Sequence, residues 1–533
     1  MKSGKILFLS IVLSLTTVFF LSASGRIDSG TQAASTGVTG KISYPINTPV
    51  TITYWMNLAN NVSANYSNLG LTPYGRAWQE KTGIKVDFIH PASGTSTEQF
   101  NLIIASGDLP DIMEWNWLTY PGGPENAISD GVILKLNDII PKWAPNFREY
   151  FDAHPDMDKM IRTDNGSYYV FPFVRGDFGL LLSSGVLVRQ DWLNELGLKM
   201  PETIDEWHTV LTAFRDKKNV LAPYTNYNFA NVPFAYAYGV YPRAFTVGDN
   251  GKVRYDPIEN GYRDYLSTFA QWYKEKLIDP DIASIAFAQV QTKMINGDAG
   301  VAVAALGSGM GVWSDAGRQI NPQYTLTGAP IPVLNKGDKP TLASATYPYA
   351  GINSVAITTK AKNVEMAARL LDWNYSQDGY YFNNFGIEGE SFNFINGYPT
   401  YTDIVMKNPN GLPLAQSIAV YARSQDGGPF IQDLRYLEQY YSLQEQKDAI
   451  NLWVFQDMLK HIMPPITPTT QESQEFAQIM NDINTYQREM ETRFILGIES
   501  IGNWDNYVST IKQMGIDRAI EIQNAALSRY QVR

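Results

Sequence analysis

Pro49-Val50-Thr51-Ile52-Thr53-Tyr54-Trp55-Met56 is a run of β-branched and aromatic residues, the composition of a short strand. Residues 74–82 follow with a helical pattern closed by Gly83, and Ile84-Lys85-Val86-Asp87-Phe88-Ile89 makes a second strand. Residues 100–105 have the apolar spacing of another helix, Gly107 supplies its C-cap, and residues 111–115 form a third strand. Strand, helix, strand, helix, strand implies a parallel sheet with helices on its faces. Ligands of such sheets sit beyond the carboxyl ends of the strands. Those ends read Tyr54-Trp55-Met56-Asn57 and Glu114-Trp115-Asn116-Trp117, both rich in indole rings.

A second α/β unit starts after the turn Asp164-Asn165-Gly166-Ser167. That turn leads into 168–174; strands are expected at 185–189, 300–305 and 324–330, and helices at 190–196, 204–215, 262–276 and 286–296. A third section returns as strand 352–359 and amphipathic helix 363–376, and helices then dominate to Arg533. They are interrupted at Met463-Pro464-Pro465-Ile466-Thr467-Pro468, where three prolines in five residues enforce a rigid extended crossing.

Composition removes whole classes of function. The 533 residues exceed what one core holds, so two or three domains are expected. Carboxylates outnumber Lys plus Arg by 53 to 42, a net charge of −11 that argues against nucleic acid as a partner. With no cysteine there are no disulfides, thiolate nucleophiles or Cys-ligated metals. The four histidines (His90, His154, His208, His461) are far apart in sequence, so neither a metal nor a cofactor is expected. The positive signal is aromatic: 32 Tyr, 24 Phe and 12 Trp.

The first residues read as an export signal. Lys2 and Lys5 precede sixteen uncharged, mostly apolar residues (6–21), and Ser22-Ala23-Ser24-Gly25 supplies small residues for cleavage. Sixteen is slightly short of the ~17–25 that a spanning helix needs. The expected division is a signal peptide over 1–24 and a flexible tether over 25–44, with an extracytoplasmic location at the cell surface or in the periplasm.

Six segments in order resemble one family, the bacterial extracellular solute-binding proteins of carbohydrate ABC transporters, in the subgroup of LplA/LipO-like lipoproteins and alginate-binding proteins. They are Trp78-Gln79-Glu80-Lys81-Thr82-Gly83-Ile84 and Ala105-Ser106-Gly107-Asp108-Leu109-Pro110-Asp111-Ile112. Next come Arg189-Gln190-Asp191-Trp192-Leu193-Asn194-Glu195-Leu196-Gly197, Pro201-Glu202-Thr203 and Asn384-Phe385-Gly386-Ile387-Glu388-Gly389. Last is Phe494-Ile495-Leu496-Gly497, followed by Trp504 and Tyr507. The resemblance implies a periplasmic-binding-protein-like α/β fold: two lobes around a ligand cleft, joined by three hinge crossings. The crossings would be 171–174, 350–353 and 463–468, with lobe one over 45–172 plus 352–462 and lobe two over 173–351 plus 463–533. It also implies a saccharide ligand, a membrane permease as partner, and a monomer without enzymatic activity. Two departures stand out. Ser24 occupies the place of the lipid-bearing cysteine, which removes the usual Cys-linked anchor. Asp216-Lys217-Lys218-Asn219 is too short and too basic for the calcium loop of several relatives, and Asp279-Pro280-Asp281 reads as a helix-stop turn.

A pyranose presents apolar C–H faces and a rim of hydroxyls, so its site pairs aromatic rings with planar polar groups. Trp115 and Trp117 alternate along a strand exit; Trp115 is assigned to the core and Trp117 to the ligand. Asn116 lies between them, and Trp55 is divided between core and site. Trp313 follows the flexible glycine loop 307–311, and Tyr347 and Tyr349 precede the second crossing; the resemblance assigns all three to the ligand. Arg175 and Asp177 follow the first crossing and bind hydroxyls or form a hinge salt bridge. Asn384 and Glu388 belong to a Gly-rich loop, with a structural cap as the other reading of Glu388. Oligopeptide capture is the alternative within transport. A secreted glycoside hydrolase ranks behind it, because no nucleophile elbow, P-loop or His-Glu-x-x-His occurs.

Overall fold

The computed structural model describes residues 41–227, 229 and 232–533; the signal peptide and residues 25–40 of the tether lie outside them. Two four-stranded sheets organise the chain. In the first, Thr51–Trp55 runs parallel to Lys85–Ile89 and to Ile112–Trp115, and Ser354–Ile357 closes the sheet antiparallel to Ile112–Trp115. Helices Pro73–Thr82 and Ser96–Ser106 make the connections. Each stops at a glycine in the left-handed region, Gly83 (φ 72°) and Gly107 (φ 73°), which a side chain would strain. The expected strand–helix order is therefore observed, extended by one returning strand.

The second sheet has the order Leu326–Gly328, Ser184–Arg189, Ala299–Ala305, Ala222–Thr225. Ser184–Arg189 runs antiparallel to both its neighbours. Its side chains divide by the two-residue period of a strand. Val186 and Val188 join the core around Trp207, Phe234 and Phe269, while Leu187 joins the opposite one around Trp313 and Trp453. Both faces are thus buried, which explains why Ala299–Ala305 reads as a continuous small, apolar run.

Several segments depart from expectation. The glycine run 307–311 is a π-helical turn, Leu306–Gly311, leading straight into helix Val312–Ile320. Its glycines serve close packing: a Cβ at Gly309 would lie 2.4 Å from that of Ala304. A hairpin, Phe392–Ile395 with Tyr398–Tyr401, interrupts the helical third section. Helix Gln444–Trp453, expected with lobe one, packs on the second sheet, where Trp453 Nε1 donates to Ala329 O at 2.7 Å and Gln446 Nε2 to Leu306 O at 2.7 Å. Asp279 and Asp281 both face Lys293 Nζ. The last tether residues are seated: Tyr44 Oη donates to Arg369 O at 2.8 Å.

The three expected crossings have these surroundings. Phe171 exchanges backbone hydrogen bonds with Val355, and Val174–Arg175 pairs in parallel with Ile431–Gln432. Gly351, on the second crossing, lies against Asn116 and Leu118 at the first sheet's exit. Before the proline segment, His461 O accepts from Val247 N; within it, Thr467 accepts from Arg533, whose guanidinium also holds Asp164.

Asp372, on helix Val364–Trp373, accepts from Phe147 N at 2.8 Å and from Asn146 Nδ2 at 2.7 Å, pinning the start of helix Pro145–Ala153. Burial pushes its carboxyl up to about 7 against these donors. The folded chain therefore keeps this proton above pH 3.8, where an ordinary Asp loses it. The resulting contribution to stability is complete below about pH 4, declines as pH rises, and is gone near pH 7. Urea unfolding of the wild type and Asp372→Asn across pH 4–8 checks this. The wild type loses stability relative to the variant between pH 4 and 7 and runs parallel to it above; a constant difference over the whole range contradicts it.

Candidate functional site

Where the parallel strands leave the first sheet, Ile112-Met113-Glu114-Trp115 places one carboxylate in an otherwise apolar strand. Glu114 is 7% exposed. It accepts from Tyr54 Oη at 2.5 Å and from Arg423 Nη2 at 3.0 and 3.2 Å. A charge there requires such a partner, since an unpaired buried ion costs several kcal/mol. Arg423 comes one residue after the extended Ala422 that ends helix Leu414–Tyr421. Burial opposes its charge, yet Glu114 and then Tyr54 hold its pKa above the usual Arg value. The loop that carries it needs glycine. At Gly427 (φ 76°) a Cβ would fall 2.4 Å from Asn353 Nδ2, which itself donates to Asp426 O at 2.7 Å. Met56, Asn57, Glu114, Asn353, Arg423 and Asp426 line a pocket of about 110 Å³ here. The enclosure raises the Asp426 carboxyl to about 6, with Arg423 opposing.

The same segment continues to the second sheet. Gln432 Nε2 donates to Ser424 O at 2.6 Å and to Tyr436 Oη at 3.1 Å. Tyr440 lies over Gly307, just past the carboxyl end of Ala299–Ala305; a Cβ there would come 2.6 Å from the ring. Burial first, and Asp426 second, raise the Tyr440 phenol. Arg175 stands beside this stretch, its guanidinium 5.5 Å from the Phe173 ring centroid. Burial lowers its pKa, and its Nη1 is buried without a hydrogen-bond partner. Residues 423–440 thus link the exits of both sheets and carry acid, base and phenol groups suited to a polyhydroxylated ligand.

The expected site residues scatter. Arg175, Asp177, Asn116 and Tyr347 stand on or beside the crossings with part of their surface free. Asp177 caps the turn Phe178–Leu180 by accepting from Gly179 N, and Asn116 Oδ1 accepts from Leu118 N. Tyr347 Oη reaches Ile462 O at 3.5 Å. Five others require correction as ring platforms or rim groups, because this structure leaves them no free face. Trp55 (1% exposed) is enclosed by Phe100 and Trp115. Trp313 is fully buried beside Phe287, and Tyr349 shares its hydroxyl with Tyr169 at 2.6 Å. Asn384 donates to Tyr380 O and Ile431 O and accepts from Asp433 N, so its amide holds backbone together. Trp117 is fully buried while Trp115 is partly open and stacks on Phe100 at 4.3 Å, the reverse of expectation. The strand ends at Trp115 and a 3₁₀ turn begins at Trp117, so strand alternation no longer applies. Glu388 is exposed, before the Phe392–Ile395 strand.

Glu114, Arg423, Asp426, Tyr436 and Tyr440 escaped the sequence reading. An acid inside an apolar strand marked Glu114; nothing local marked the others. A far larger cavity, about 960 Å³, opens beside the amino end of Ala222–Thr225, on the side away from the sheet exits. Its lining mixes Leu221, Phe494, Leu496 and Ile501 with Arg215, Gln271, Lys274, Lys276 and Glu499.

Comparison with known proteins identifies the family and the fold. Residues 67–381 match the family model described as bacterial extracellular solute-binding protein. The chain is 24% identical over 488 residues (85% of this chain, 86% of the relative) to the fructooligosaccharide ABC transporter substrate-binding protein FusA of Streptococcus pneumoniae. It is 22% identical over 379 residues to lipoprotein LipO of Bacillus subtilis, covering 66% of this chain and 70% of that one. Among solved structures, the alginate-binding protein AlgQ2 without calcium superposes with a TM-score of 0.74 at 25% identity, covering 91% of this chain and all of that one. The fold is the two-lobed periplasmic-binding-protein type.

Proposed function

Because the chain belongs to the bacterial extracellular solute-binding proteins, we propose that it captures an oligosaccharide outside the cytoplasm and delivers it to the permease of an ABC transporter. The observation that carries this reading is the polar stretch 423–440, which joins the exits of both sheets and stands beside the half-buried Arg175. A ligand seated there contacts both α/β halves, and only such a ligand favours a closed arrangement over an open one. In this reading the lobes are 45–172 plus 352–462 and 173–351 plus 463–533, with helix Gln444–Trp453 moving with the second. Asn116, Asp177 and Tyr347 supply the rim, beside Asp426 and Tyr440. The chain acts as a monomer and has no catalytic role. Among the described residues no helix is long and apolar enough to cross a membrane. Export through residues 1–24, without a thioether-linked lipid, completes the proposal.

A thermal-shift screen against neutral oligosaccharides, uronic-acid oligomers and short peptides tests it. A glycan at a hundredfold excess over Kd stabilises the fold by about 2.7 kcal/mol. Capture predicts a shift that persists for hours with the glycan intact. A shift that decays as the glycan is cut makes the protein a hydrolase, and a shift with peptides alone makes it a peptide carrier.

A further inference from the structure

We propose that Arg175 anchors a carboxylate, so that the ligand class is a saccharide bearing uronic-acid groups; this rests on the saccharide reading above. The argument begins with backbone that cannot move away. Arg175 N donates to Pro348 O at 3.0 Å, and the residue lies in register with Gln432. The next residue, Gly176, donates to Gln432 O at 3.0 Å, where a Cβ would approach that oxygen to 2.7 Å. The guanidinium is therefore presented from a fixed point beside the crossings.

Charge compensation sets it apart. Other shielded arginines have a carboxylate: Arg189 has Asp191, Arg243 has Glu491, Arg423 has Glu114, Arg435 has Asp433, and Arg533 has Asp164. Among the described residues no carboxylate forms an ion pair with Arg175, in a chain with eleven more acids than bases. Asp177, two positions on, turns its Oδ1 to Gly179 N. Asp426 acts on Tyr440 and Tyr436, and burial keeps the Tyr436 phenol beside Arg175 protonated, so that it supplies no counter-charge. One face of the guanidinium is covered by Phe173, and Nη1 is buried and unpartnered. A sugar hydroxyl would satisfy that N–H yet leave the charge uncompensated. A carboxylate does both, and its planar pair of oxygens matches the guanidinium fork.

The test is titration calorimetry of the full chain with oligomers of galacturonate, mannuronate and glucuronate, each against its methyl ester, and with neutral oligosaccharides of the same length. Ester and acid share shape and differ in charge. Hydrogen bonds to a charged group imply that an acid binds about 10- to 100-fold more tightly than its ester, with affinity falling as salt rises. Arg175→Gln weakens the acid at least tenfold more than the ester and so removes that preference, and Arg175→Lys, which keeps charge without the fork, retains part of it. Should Arg175→Gln fail to fold, the lysine variant alone must lower acid affinity several-fold and spare the ester. Equal binding of acid and ester, binding of neutral glycans alone, or equal weakening of both forms by the variants overturns the role of Arg175 and leaves the saccharide reading intact. No binding of any glycan by the wild type overturns that reading, and this one with it.

Discussion

Arg423→Leu lowers stability by about 3–5 kcal/mol, because it strips a buried carboxylate of its counter-charge. Glu114 and Arg423 are 7% and 5% exposed and joined by two hydrogen bonds. After the substitution Glu114 keeps only the Tyr54 hydroxyl. The carboxylate is then left without its counter-charge in a buried site, at a high desolvation cost. The double change Glu114→Gln with Arg423→Met restores most of the stability, since removing both charges removes the unpaired one. Urea unfolding followed by tryptophan fluorescence and circular dichroism measures this. A loss under about 1 kcal/mol in the single variant, or no recovery in the double, means that the pair is more hydrated than its burial indicates.

Trp453→Ala produces a loss of similar size, about 3–5 kcal/mol, through cavity formation. The indole is 1% exposed, with Nε1 bonded to Ala329 O. Its ring fills space that two glycines leave open on adjacent strands of the second sheet. A Cβ at Gly185 would sit 2.5 Å from the ring, and one at Gly328 would sit 2.9 Å from it. Glycine is required here by close approach, not by backbone angle. Gly185→Ala is therefore destabilising alone, and combining it with Trp453→Leu costs less than the two separate losses added together. Strict additivity shows that the ring and the strand do not share one contact surface. Because 533 residues seldom unfold in a single step, the relevant quantity is the transition in which the second sheet melts.

The elements of the chain were legible wherever their signal is local. Pro49–Met56, Gly83, Gly107 and the residues between them announce strand, helix and cap within a few positions, and the strands and helices of the second unit fall close to expectation. The Phe392–Ile395 hairpin lies in a section expected to be helical, although its turn Asn396-Gly397, both with positive φ, is a local two-residue hairpin signal. Trp115 and Trp117 were exchanged because the strand ends between them. Helix Gln444–Trp453 was assigned to the wrong neighbour, since an amphipathic pattern says that a face is buried without saying against what.

By itself the sequence determined an α/β chain with a parallel nucleus, free of thiol chemistry, rich in rings and closed by glycine caps, because these follow from composition and from periodicities of two and 3.6 residues. Tertiary structure decided which groups meet. Glu114 and Arg423 lie 309 positions apart, and an ion pair acts only over a few ångströms. It also decided which rings are sealed in the core, and that Arg175, of the shielded arginines compared, lacks a carboxylate. Charge compensation is a property of distance in space, which local pattern does not encode.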